Sequence, residues 1–202
     1  MAGRRKAAGP KGSFVKRVQH LPNLITILRM ALAPLLILLV KDQRYLDALW
    51  VFLLAGLSDG LDGFIAKRFG FVSPLGALLD PLADKILLVG AYVMLALQTL
   101  VPFWLVLVVT FRDLLIVGGY LVYTSLYGPV PMRPSRVSKF NTFSQILLVI
   151  FILSERAFQF PLIHLQWALV LGVLLTTIAS GGHYLWTWGV VRDVEAAGAR
   201  RH

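Results

Sequence analysis

Four aspartates in this chain fall on two helical stripes. Asp59, Asp62, Gly63 and Ala66 follow i, i+3, i+4, i+7 spacing, so on a helix the two acids stand one turn apart with small residues beside them. Gly76, Asp80 and Asp84 repeat the design at i, i+4, i+8. Only the short segment Phe69 to Ser73 separates the two stretches, so both stripes belong to the same end of their helices and can face each other. Carboxylates gathered in apolar surroundings repel one another and resist desolvation unless cations neutralise them. A pair of divalent ions does this. Carboxylate oxygens are hard ligands, suited to Mg²⁺, Mn²⁺ or Ca²⁺ rather than to a soft metal. Two such ions close together can clamp a diphosphate and polarise it for displacement. Small residues at Gly63, Ala66 and Gly76 would let a nucleotide approach the backbone closely. The plainer alternative is that acids at membrane helix ends cap the helix or reach out to water.

The elements that must hold these stripes are long and apolar. Of 202 residues 57% are hydrophobic and 15% charged, more apolar surface than a soluble domain can hide. A spanning helix needs about 20 largely apolar residues, and the pattern predicts an all-α integral membrane protein with six transmembrane helices. They are expected over 24–40, 45–67, 74–99, 102–126, from 141 through 153, and 161–191. Ser73 followed by Pro74 reads as the start of the third. The segment 127–138, with three prolines, reads as a loop. Residues 1–13 form a basic arm, expected to be flexible, 14–192 the six-helix membrane domain and 193–202 a basic tail. Phe14 to Leu21 mixes apolar and basic residues, which suits either an N-terminal interfacial helix or a simple basic flank.

Charge orients the helices. Twenty Lys and Arg against ten Asp and Glu give +10, which here points to anionic membrane lipids as partners and not to nucleic acid. The N-terminal arm, Lys67-Arg68, the loop with Arg133, Arg136 and Lys139, and Arg200-Arg201 all fall on one side of a six-span arrangement. The positive-inside rule makes that side cytoplasmic, with both termini on it, as in a bacterial inner membrane. The arm's composition also fits a mitochondrial presequence, which leaves the mitochondrial inner membrane as the other setting. No cysteine is present, so thiolate catalysis and Cys-ligated zinc are excluded, and His20, His164, His183 and His202 lack ligand spacing.

Asp59-x-x-Asp62-Gly63-x-x-Ala66-Lys67, eight residues, Gly76-x-x-x-Asp80-x-x-x-Asp84 resembles the signature of the CDP-alcohol phosphatidyltransferase family. The resemblance extends to Pro22-Asn23-x-x-Thr26-x-x-Arg29 before it, and to Arg112-Asp113 and Ser138-Lys139-x-Asn141-Thr142 after it. Lys67 stands where the family usually has Arg, a point charge in place of a planar fork, with Arg68 adjacent. What the resemblance implies is a homodimer whose site opens to the cytoplasm and holds two divalent ions per protomer, Mg²⁺ or Mn²⁺. It implies Asp59, Asp62 and Asp80 as metal ligands, with Asp84 joining the second ion and serving as general base. Asn23, Thr26, Gly63, Ala66, Lys67 and Gly76 would surround the nucleotide and diphosphate of CDP-diacylglycerol, and CMP would leave.

The acceptor is a separate matter, because the acidic signature handles only the donor. Arg112 lies near mid-membrane, where an unpaired guanidinium is costly, so it is expected to meet a substrate phosphate or a carboxylate on another helix. Asp113 points elsewhere on a helix and is not expected to be its direct partner. Family members that use glycerol 3-phosphate carry a further Arg two turns later, where this chain has Tyr120. Phe-Arg-Asp and Ser-Lys-Phe-Asn-Thr resemble instead the branch that uses phosphatidylglycerol and makes cardiolipin. Arg133, Arg136 and Lys139 are the expected contacts to the acceptor phosphate in either case, unless they are lipid anchors. A small transporter also carries intramembrane charge. Its two similar halves with interrupted helices are not visible here, and release of CMP would distinguish the two classes.

Overall fold

The computed structural model describes the backbone of residues 21–69, 74–127 and 135–199, with side chains over 28–58, 85–119, 122, 125 and 135–186. The arm, the interfacial segment before Leu21 and the capping Ser73 lie outside the described residues. Six helices follow one another: α1 Leu21–Lys41, α2 Tyr45–Phe69, α3 Pro74–Leu97, α4 Phe103–Tyr127, α5 Arg136–Phe158 and α6 Ile163–Ala199. Among the described residues there are six helices and no strand, so the all-α expectation holds. Pro34 sits inside α1 without ending it.

Two boundaries differ from the sequence expectation by more than three residues. α5 begins at Arg136, inside the stretch read as loop, because Ser135 caps it: the Ser135 hydroxyl accepts from Ser138 N–H at 3.1 Å. α6 continues to Ala199, past the expected end near 191, and its 37 residues correspond to about 55 Å of helix. The short connections are closed by tight C-caps. After α1, Gln43 N–H bonds the Val40 carbonyl and Arg44 N–H the Leu39 carbonyl. After α3, Thr99 N–H bonds Ala96 and Leu100 N–H bonds Leu95 in the same pattern. Both are Schellman motifs, which need a left-handed residue, and Gln43 and Thr99 supply it with φ of 58° each.

The chain divides into two compact units, Met1–Ala91 and Tyr92–His202. In the first, α1 packs on α2 around Leu36, Val40, Ala48 and Phe52. The α3 backbone at Gly90 comes close to α1 as well, so a Cβ there would meet the Ile37 side chain at 3.3 Å. In the second unit α6 packs against both α4 and α5, with Leu105, Val109, Leu148, Ile152, Val170 and Val173 buried.

Beside this apolar core, many large apolar side chains lie on the outside and several polar ones lie within. Trp50, Leu54, Leu57, Leu107, Phe111, Leu114, Leu171, Leu175 and Ile178 are exposed, whereas Arg29, Arg112, Asp113, Asn141, Gln145, Thr177 and Ser180 are buried. Exposed apolar faces, with polar side chains kept inside, suit a hydrocarbon solvent, where polar groups must be satisfied within the protein. Among the described residues, Arg136–Phe158 and Ile163–Trp186 are long and apolar enough to cross a membrane, and Tyr45–Ser58 and Lys85–Leu97 are shorter apolar stretches.

Candidate active site

The acidic signature lies on continuous helix. Asp59, Asp62, Gly63, Ala66 and Lys67 belong to α2, and Gly76, Asp80 and Asp84 to α3. Helical backbone turns their spacing into stripes, since residues three and four apart share a face. All eight belong to the first compact unit, as do Asn23 and Thr26 at the start of α1. The side chains of these ten residues, and all of Arg133, lie outside the described residues.

The second unit shows the other polar constellation at atomic detail. Arg112, only 5% exposed, extends from α4 and reaches two further helices. Its Nη1 is paired with Asp113 Oδ1 at 2.8 Å, its Nη2 donates to Ser138 Oγ on α5 at 2.6 Å, and its Nε donates to Ser180 Oγ on α6 at 3.2 Å. Nη2 also donates to Ser180 Oγ. The carboxylate partner is therefore the sequence neighbour, contrary to expectation. Adjacent Cβ atoms diverge on a helix, but the long Arg side chain folds back far enough to meet the short Asp one. Gly181 makes room, as a Cβ there would lie 3.7 Å from the Arg112 side chain.

One turn further along α5, Asn141 continues the polar line. Its Oδ1 accepts from the Thr177 hydroxyl at 2.9 Å, and the Thr176 hydroxyl lies 3.0 Å from both that oxygen and the Val173 carbonyl. Next comes Gln145, fully buried, whose backbone carbonyl accepts from Tyr92 at 3.2 Å. The amide groups of its side chain have no hydrogen-bond partner in the structure. By contrast Arg136 and Lys139, in the first turn of α5, are exposed. Of the four cations expected at the acceptor, Arg112 is thus enclosed by protein groups while Arg136 and Lys139 are open. Ser180 was not singled out from sequence. Its signal is the run of small and hydroxyl residues Thr176, Thr177, Ser180 and Gly181 on one side of α6.

The profile described as CDP-alcohol phosphatidyltransferase matches residues 19–179, most of the chain. The chain belongs to the CDP-alcohol phosphatidyltransferase family. Among its relatives, the human cardiolipin synthase (CMP-forming) is 36% identical over 183 residues, which cover 81% of this chain and 60% of that protein. A Schizosaccharomyces pombe protein named as a cardiolipin synthase (CMP-forming) and mitochondrial hydrolase fusion is 35% identical over 189 residues, 86% of this chain and 32% of its own length. The Bacillus subtilis CDP-diacylglycerol–glycerol-3-phosphate 3-phosphatidyltransferase is 31% identical over 182 residues, 82% of this chain and 93% of that enzyme. The chain thus spans 60% of the human relative and 32% of the yeast fusion protein. Family members generally depend on divalent metal.

Proposed function

We propose that this chain is an integral membrane enzyme of phospholipid synthesis that transfers a phosphatidyl group from CDP-diacylglycerol to an alcohol and releases CMP. The observation that carries the reading is the pair of aspartate stripes on consecutive helices α2 and α3, within a chain matched to the family over 19–179. Their donor set fits divalent ions, being oxygen only and strongly negative. Asp59, Asp62, Asp80 and Asp84 would hold two of them, Mg²⁺ or Mn²⁺, and the ions would supply charge neutralisation on the diphosphate. Lys67 adds a positive point charge to the same α2 stripe, Gly63, Ala66 and Gly76 leave room for the nucleotide, and Asn23 and Thr26 bind it with them.

Asp84 accepts the proton of the acceptor hydroxyl. The freed oxygen forms a bond to the phosphorus bearing the diacylglycerol, the phosphoanhydride bond breaks, and its electron pair leaves with CMP. A carboxylate suits this role when a nearby positive charge keeps it ionised. Arg133, Arg136 and Lys139 provide positive charge for an acceptor phosphate, with Arg112 behind them on α4. The six helices span the membrane with both termini cytoplasmic, and the enzyme works as a homodimer. The exposed apolar faces support the embedding, and α6 at about 55 Å exceeds the roughly 30 Å hydrocarbon layer, so its C-terminal turns project beyond it.

Phosphatidylglycerol is the acceptor we favour, giving cardiolipin, on the Phe111-Arg112-Asp113 and Ser138 to Thr142 segments. Glycerol 3-phosphate is the second reading, favoured by the Bacillus relative that the chain spans nearly end to end. Membranes containing the protein, given CDP-diacylglycerol, Mg²⁺ or Mn²⁺ and one acceptor at a time, should release CMP with the true acceptor alone. Release with neither acceptor would overturn the transferase reading and favour a transport role.

A further inference from the structure

At the far end of α5, about 25 Å of helix beyond Ser138, Glu155 is buried, and among the described residues no ion pair reaches it. Its Oε1 accepts from the N–H of Leu162, just before α6, at 3.1 Å, and its Oε2 is enclosed without a hydrogen-bond partner. Gln166, buried in the first turn of α6, is in a similar position. Its Nε2 donates to the Leu100 carbonyl at 2.5 Å, which fixes the amide so that Oε1 is the atom left over. Leu162 joins the two residues, because its carbonyl accepts from Gln166 N–H at 2.9 Å. Side chains on a helix lean toward its N-terminus, so that of Gln166 leans back over the turn that begins at Leu162. Leu100, Glu155, Leu162 and Gln166 all belong to the second compact unit.

A carboxylate enclosed without a counter-charge is costly, and more so at membrane depth. The helix ends do not supply that charge. Glu155 sits at the negative, carbonyl end of α5 and against the positive, amide end of α6, so the two dipoles oppose each other there. Arg156 and His164 are exposed, and Asp113, the other acid of this unit whose side chain is described, is paired with Arg112. One carboxylate oxygen and one neutral amide oxygen are hard ligands carrying a single negative charge, which matches a singly charged alkali ion better than a divalent one. We propose that Glu155 Oε2 and Gln166 Oε1 hold a monovalent alkali cation, which ties the α3–α4 connection, the end of α5 and the start of α6 together. Its role is to hold these three elements in place, and the inference does not depend on the transferase reading.

The test melts purified full-length protein in neutral detergent, with EDTA so that divalent ions do not contribute, in NaCl, KCl or N-methylglucamine chloride at equal ionic strength. Na⁺ or K⁺ at about tenfold its Kd should raise the melting temperature by about 3–6 °C over N-methylglucamine, a cation too large to be enclosed. Glu155→Gln keeps the shape and an oxygen for the Leu162 N–H but loses the charge, and should melt alike in all three salts. Asp47→Asn, at an exposed carboxylate of the first unit, should keep the full ion dependence. Equilibrium binding of radioactive Na⁺ and Rb⁺ gives a readout independent of melting, with saturable uptake by the wild type that Glu155→Gln lacks. Equal melting of the wild type in the three salts overturns the proposal, as does an ion dependence or uptake that survives in Glu155→Gln. If Glu155→Gln does not fold, Gln166→Met, which retains the carboxylate, decides the matter: uptake weakened at least about tenfold supports the site, and unchanged uptake overturns it. CMP release enters none of these readouts, so their failure leaves the transferase reading as it stands.

Discussion

Arg112 on α4 and Ser180 on α6 meet through the guanidinium Nε and the hydroxyl oxygen at 3.2 Å, inside a unit where both residues are buried. With Asp113 and Ser138 the contact becomes a clamp across α4, α5 and α6. Ser180→Ala removes one acceptor from a buried cation and should cost about 1–3 kcal/mol. Asp113→Asn leaves the charge without its counter-ion and should cost more, about 3–5 kcal/mol. Denaturation of the detergent-solubilised protein measures both. Equal, negligible losses would mean that the clamp contributes nothing to stability.

Removing the proposed base separates chemistry from binding. Asp84→Asn keeps the size of the side chain and leaves Asp59, Asp62 and Asp80 in place, so turnover should fall by about 10²-fold or more while CDP-lipid binding survives. Lys67→Arg, which restores the residue usual in the family, should retain activity. Chelation with EDTA should abolish CMP release, and added Mg²⁺ or Mn²⁺ should restore it. Full turnover by Asp84→Asn would remove that residue from the mechanism.

Two neighbouring amides on α5 should respond in opposite directions. Asn141 Oδ1 serves the Thr177 hydroxyl at 2.9 Å, so Asn141→Leu strands a buried donor and should destabilise by about 1–3 kcal/mol. The Gln145 amide is buried without a protein partner, so Gln145→Met keeps the volume, removes an unpaired polar group and should be neutral or stabilising. A large loss of thermal stability in Gln145→Met would indicate an ordered water on that amide.

The helices were legible in the sequence because long apolar runs separated by short polar turns leave little freedom in all-α spacing, and the starts of α2 and α3 fell where expected, at Tyr45 and Pro74. The start of α5 was not, because the prolines before it suggested loop up to Ser138, although Ser135 is a strong N-cap type three residues before that point. The stripe logic needs helical backbone at the aspartates, and α2 and α3 supply it. It failed for Arg112 and Asp113, since a rule about where Cβ atoms point does not limit where a long guanidinium can end. Ser180 was invisible for another reason. The small and hydroxyl residues around it mark a polar side of α6, but not which of them a guanidinium on another helix will use.

The α3–α4 connection offers a test of backbone strain. Thr99 holds φ of 58° to close the Schellman motif, and a β-branched residue is poorly suited to that conformation. Left-handed backbone costs an L-residue roughly 1–2 kcal/mol, while Gly adopts it freely and loses more entropy on folding, roughly 0.5–1 kcal/mol. Thr99→Gly should therefore stabilise the protein by a net of about 0.5–1 kcal/mol, with CMP release unchanged because the hairpin belongs to no part of the proposed site. Thr99→Val retains the branching and should show no gain. If the glycine variant melts at or below the wild-type temperature, the strain at this turn is already offset by the hydrogen bonds from Thr99 and Leu100 to the end of α3.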